Sequence, residues 1–164
     1  MRRKSECQDK QPSTYMSTLV ENEVAATKSA KVLYTAKAHT TGGREGGASR
    51  TSDGRLEVKF SLPGAAGNGT NPEQLFAVGW SGCFISAMRI AASKMKIAFP
   101  ADSAVDAEVD LCAGDGGYFL RARLNISLPG LERESAQAIV DAAEQLCPYS
   151  KATRGNIDAT LHLV

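Results

Sequence analysis

The chain has 164 residues, close to one ordinary domain, and at 43% hydrophobic and 23% charged it is too apolar to be disordered. The 19 Lys+Arg nearly cancel the 18 Asp+Glu, for a net charge of +1, which argues against nucleic acid as a partner. Four cysteines without a CxxC pair and two histidines argue against a structural zinc site. No apolar run approaches the roughly 20 residues of a bilayer span. The basic start, Met1-Arg2-Arg3-Lys4, is not followed by the apolar stretch of a secretory signal, so a cytoplasmic protein with reduced thiols is expected.

Residues 1–30 are polar and aperiodic and read as a flexible arm. Met16 lies inside the arm and is an alternative start. A single domain is expected over residues 31–164. Residues 31–40 are rich in Val, Leu, Tyr and Thr and predict a strand, followed by a glycine-dense turn over residues 41–47. Leu56, Val58, Phe60 and Leu62 alternate with polar residues as in a half-buried strand. Asn71 as N-cap, Pro72 at the first helical position and Gln74 at the third then form a helix-start signature. The helix that follows is apolar around most of its circumference and is expected to be buried on several sides. Val105, Ala107, Val109 and Leu111 alternate, Gly114-Asp115-Gly116-Gly117 signals a hairpin, and residues 118–128 alternate again. Residues 132–146 form an amphipathic helix that Pro148 ends at Cys147, and residues 157–163 alternate to the end. The fold class is α+β, mostly antiparallel strands with a central buried helix and a second long helix.

Cys83 lies deep in the apolar helix. From burial alone it reads first as a small buried hydrophobe, with a reactive thiol as the alternative. The helix dipole cannot activate it there, so a thiolate would need a cation from elsewhere in the structure. Cys147 sits at a helix end, as a packing residue or a mobile thiol. Cys7 and Cys112 suggest no role, and His39 and His162 read as structural. Glu73 is accounted for by the helix dipole and Arg44 by solvation.

Taken together, Thr41-Gly42-Gly43-Arg44, Gly69-Thr70-Asn71-Pro72-Glu73-Gln74-Leu75-Phe76, Ser81-Gly82-Cys83-Phe84 and the run from Cys147-Pro148-Tyr149-Ser150 to Asn156 resemble the organic hydroperoxide resistance (Ohr) family of the Ohr/OsmC superfamily. The resemblance covers residues 31–164 and implies an OsmC-like fold. It also implies a thiol peroxidase with no bound cofactor or metal that reduces alkyl and fatty-acid hydroperoxides. By motif position, Cys83 resembles the peroxidatic cysteine, Cys147 the resolving one, Arg44 the activating arginine and Glu73 the carboxylate that holds it. Dihydrolipoyl groups, on a lipoylated protein or as dihydrolipoamide, are the implied external reductant. Nucleic acid and membrane are not expected partners.

These roles suit the residue types. A peroxidase needs a thiolate, a cation to stabilise it and a second thiol to trap the sulfenic acid. Trp80 and Gly79 precede Cys83 by three and four residues and share its helix face. With Phe76, Phe84 and Met88 they suggest an apolar mouth for a bulky substrate. Glu73 and Cys83, ten residues apart on one helix, are separated by about 15 Å. Their meeting therefore calls for an intertwined homodimer with shared active sites. A ligand-binding or redox-sensing module with inert cysteines is the rival class, and a thiol–disulfide oxidoreductase, disfavoured by the missing CxxC, is a second.

Overall fold

The computed structural model describes residues 30–164. The flexible arm, Met16 and Cys7 therefore fall outside the described residues, apart from Ala30. Residues 30–37 carry no regular structure, and Val32, Leu33 and Tyr34 are exposed. The strand expected over residues 31–40 is thus corrected to Ala38–Thr41 (β1). Its partner β2, Ala48–Thr51, ends at Thr51 opposite Ala38 and turns away, so nothing continues the ladder. The compact unit spans Ala38–Val164.

β1, β2 and the short β3 (Glu57–Lys59) form an antiparallel three-stranded sheet. Only three residues of the alternating run 56–62 join it. A bridge from Phe60 to Thr70 then leads the chain into the long helix α1, Pro72–Met95. The Asn71 side chain accepts from the Gln74 amide at 2.9 Å, the cap expected from the sequence. Gln74 does not reciprocate; its carbonyl accepts from the Thr70 hydroxyl at 2.7 Å.

α1 runs unbroken for 24 residues and ends at Lys96 in the left-handed region. Contrary to the sequence reading, it is long and apolar enough to cross a membrane by length and composition. Its apolarity serves packing instead. Trp80, Phe84, Ala87, Met88, Ala91 and Ala92 line one stripe buried in the core. Burial on several sides is not seen, because Val78 and Ile90 on other faces are 71% and 51% exposed.

The second sheet holds β4 (Ala104–Gly114), β5 (Gly117–Ser127) and β6 (Asp158–Leu163). β4 and β5 form an eleven-residue antiparallel hairpin across the Asp115–Gly116 turn, with Gly117 at φ 101°. β6 pairs parallel to β5. Such pairing requires a crossover, supplied here by α2 (Arg133–Leu146) and the six-residue α3 (Pro148–Thr153), which the sequence reading missed. Ala136, Ile139, Val140 and Ala143 of α2 close the core against α1 and the inner face of β5, where Leu124 and Ile126 are fully buried.

Replacing the cap, Asn71→Ala, is expected to destabilise the protein by about 1 kcal/mol, read from the urea midpoint at unchanged m-value.

Candidate active site

The glycine turn between β1 and β2 is tightly closed. Gly42 and Gly43 have φ of 72° and 62°, and the Gly47 amide donates to the Gly43 carbonyl at 3.0 Å. A methyl group on Gly47 would strike the Thr41 carbonyl oxygen and lie 2.5 Å from that of Gly43. This turn delivers Arg44 to the start of α1. There its two terminal nitrogens donate to the two carboxylate oxygens of Glu73 at 2.9 and 3.2 Å. Fork-to-fork geometry of this kind fixes the plane of the guanidinium as well as its charge. Glu73 is 9% exposed, and its hydrogen bonds and charge hold the Arg44 guanidinium above its ordinary pKa.

Beside the pair lies a pocket of about 320 Å³, walled by Pro72, Phe76, Leu111, Tyr118, Phe119 and Leu120. Tyr118 and Phe119 are large, apolar and exposed at the hairpin end. The sequence reading did not select them; aromatic residues beside a hairpin turn were the available signal. Leu111 also departs from its expected inward face and is 42% exposed.

The thiols lie farther along α1. The Sγ atoms of Cys83 and Cys147 are 3.4 Å apart, both cysteines free. α1 carries Cys83, and Cys147 is the hinge between α2 and α3, with extended backbone (φ −64°, ψ 121°). Its amide still donates to Ala143, and its carbonyl accepts from Lys151. Cys147 is fully buried and Cys83 partly exposed. Burial pushes the Cys83 thiol up; the Tyr149 amide pulls it down and the Cys147 thiol pushes it further up. Among the described residues, no cation is one of the groups that set it. Cys112 is free and half-buried on β4.

Four residues named from the sequence as substrate-binding divide sharply. Trp80, Phe84 and Met88 are 2%, 0% and 0% exposed, so core packing closes them to a substrate within this chain. Phe76 keeps partly exposed surface, meets Trp80 edge-on and reaches the arginine pocket. Gly79 is not open backbone either, since the Tyr149 ring covers it and a Cβ there would sit 2.8 Å from the phenol oxygen. Among the described residues no cluster of His, Cys, Asp and Glu could hold a metal ion.

The chain is an α+β unit that carries a part-buried arginine–carboxylate fork and, farther along the same helix, a facing pair of free thiols. The OsmC-like protein family model matches residues 63–162. An organic hydroperoxide resistance protein of Xanthomonas axonopodis pv. citri is 50% identical over 137 residues, covering 81% of this chain and 96% of its own. The crystal structure of OhrB of Bacillus subtilis, at 42% identity, superposes with a TM-score of 0.76 over 81% of this chain and all of that one. A Vibrio cholerae structure described as a putative organic hydroperoxide resistance protein, with captopril bound in one of the active sites, matches at 38% identity and a TM-score of 0.76. It covers 82% of this chain and 94% of its own. The chain belongs to the Ohr family of OsmC-like proteins, and membership implies hydroperoxide-reducing activity.

Gly47→Ala should displace Arg44 and lower hydroperoxide turnover roughly 100-fold, the scale of a misplacement of about 1 Å. Gly67→Ala is the control: its Cβ would meet only Ser61 Cβ at 3.7 Å, and turnover should be unchanged.

Proposed function

We propose that the protein reduces alkyl and fatty-acid hydroperoxides to alcohols through Cys83 and Cys147. The observation that carries this reading is the 3.4 Å approach of two free thiols that lie 64 residues apart in sequence. The Cys83 thiolate attacks the distal oxygen of the hydroperoxide. The O–O bond breaks, the alkoxide takes a proton to leave as alcohol, and Cys83 becomes a sulfenic acid. The Cys147 thiol then attacks the Cys83 sulfur, water leaves, and a disulfide forms. A dihydrolipoyl dithiol, free or on a lipoylated protein, reduces the bridge by two exchange steps and is itself oxidised to the cyclic disulfide. This chemistry fits the reducing cytoplasm. Protection against organic peroxide stress is the resulting role.

The site is completed by a second copy of the chain. α1 does not break between Glu73 and Cys83, so about 15 Å of helix separates the arginine fork from the thiols. Among the described residues no cation acts on Cys83, although its chemistry requires a thiolate. Two copies with α1 antiparallel about a two-fold axis would bring Arg44 and Glu73 of one to Cys83 and Cys147 of the other. The exposed Val78 and Ile90 on α1 support that pairing. The pocket beside Arg44, walled by Phe76, Leu111 and Phe119, would then receive the organic tail, which burial stabilises by about 25 cal/mol per Å². A small polar peroxide gains nothing there, so organic hydroperoxides are preferred to H2O2.

Cys83→Ser should abolish reduction. Cys147→Ser should consume about one equivalent and then accumulate oxidised Cys83, as followed by mass spectrometry. A dominant bridge through Cys7 or Cys112 in the wild type would overturn the assignment.

Mixing inactive Cys83→Ser chains with inactive Arg44→Ala chains should restore activity after subunit exchange. No recovery, or a fully active monomer by sedimentation, would rule out the shared site. The pH dependence of Cys83 alkylation gives a second reading. A partner cation holds the thiol below the ordinary value of about 8.5, and the uncompensated burial left by Arg44→Ala moves the half-maximal pH above it.

A further inference from the structure

The reaction above gives no task to the one fully buried hydrogen bond between two side chains among the described residues. Trp80 Nε1 donates to Ser150 Oγ at 3.1 Å, and the two residues are 2% and 5% exposed. Trp80 precedes Cys83 by three residues on α1, and Ser150 follows Cys147 by three on α3. Since Cys83 meets Cys147 and Trp80 meets Ser150, the two segments pass in opposite directions. They are joined by two rungs about 4.5 Å apart along each axis. One rung is the sulfur pair, which the reaction makes and breaks. The other is chemically permanent.

Among the described residues, no other pair of side chains is hydrogen-bonded between α1 and α3; the Tyr149 amide adds a backbone hydrogen bond to the Cys83 thiol, which the reaction also alters. The Tyr149 ring rests over Gly79 and 5.9 Å from the Phe76 ring. The Thr153 hydroxyl donates to the carbonyls of Tyr149 and Ser150 at 3.0 and 3.2 Å, keeping the short helix wound. Apart from the sulfur pair and its burial in the core, Cys147 is held through its backbone, at the hinge before Pro148. While Cys83 is a sulfenic acid, the placement of Cys147 depends on how firmly α3 is held.

We propose that Trp80 and Ser150 are positioning residues whose hydrogen bond holds the Cys147 hinge against Cys83 and so favours disulfide formation over over-oxidation. This rests on the peroxidase reading given above. At the branch point, the Cys83 sulfenic acid and the Cys147 thiol give the disulfide and water. Alternatively, the sulfenic acid and a second hydroperoxide give the sulfinic acid and an alcohol. Loosening the second rung slows the first path and leaves the chemistry of the second untouched.

Ser150→Thr and Ser150→Val test this in the full-length chain. They have the same shape and differ in the hydroxyl. A pocket of about 140 Å³ beside Ser150, lined in part by Trp80, Thr153 and Ile157, gives room for the added methyl. Acid-quenched reactions with tert-butyl hydroperoxide would give the rate of first oxidation, the rate of disulfide formation and the sulfinic yield per turnover. Val is expected to form the disulfide about tenfold more slowly than Thr, the scale of an unpartnered buried donor, and to give more sulfinic acid. First oxidation should match in the two variants, which a general loss of structure would not produce. Equal disulfide rates and sulfinic yields in Thr and Val, or equal slowing of both steps in Val, would overturn the proposal. Should the Val variant fail to fold, Trp80→Phe removes the donor from the other side and must shift the same partition. A wild type that forms no Cys83–Cys147 bridge with hydroperoxide would defeat the peroxidase reading itself. A wild type that bridges, with Val equal to Thr, would defeat the positioning role alone.

Discussion

Everything at the site depends on the rigidity of one helix. α1 advances 1.5 Å per residue without a kink, so the chain cannot fold Glu73 back onto Cys83. The helix therefore separates two chemical groups that the proposed reaction must unite. At its start stands a cation with a fixed plane, and midway along stands a thiol whose pKa burial raises. On the proposed shared site, assembly becomes a condition of reactivity, and an isolated subunit would keep its cysteine as an ordinary, sluggish thiol, protected from indiscriminate oxidation.

The supporting structure follows from what each half of the site requires. Arg44 must be held without a regular element of its own, and a turn of four glycines around it does this by close backbone approach rather than by side-chain packing. Cys147 must face α1 from a distant part of the sequence. The parallel pairing of β6 with β5 forces the intervening chain over the sheet and across α1, and Cys147 lies on that crossover. Sheet topology thus creates the thiol pair.

What could be read from the sequence was what local chemistry dictates. The Asn71 cap and the hairpin turn at residues 114–117 each declare themselves within a few residues, whereas the buried stripe of α2 falls on Ala136, Ile139, Val140 and Ala143 and leaves Ala138 exposed. The roles of Arg44, Glu73, Cys83 and Cys147 came from motif resemblance, and the structure brings Arg44 to Glu73 and Cys83 to Cys147 in pairs. Where tertiary context decides, reading failed. Val32, Leu33 and Tyr34 have strand propensity but pair with no strand among the described residues. Trp80, Phe84 and Met88 share the cysteine helix, yet the second sheet and α2 close over them. Leu111 and Phe119 wall the pocket only because the hairpin end reaches the start of α1, a contact that no periodicity encodes.

The separation of the two thiols in sequence also has a thermodynamic side. A bond between sulfurs 64 residues apart closes a long loop in the unfolded chain. On the chain-entropy model this disfavours unfolding by about 4 kcal/mol. Each catalytic cycle would then carry the protein between a looser reduced form and a tauter oxidised one. The melting temperature becomes a gauge of redox state, and the reductant must supply the free energy that the tether adds. On that cycle the reduced form, waiting with both thiols free, would be the one most exposed to heat and proteolysis.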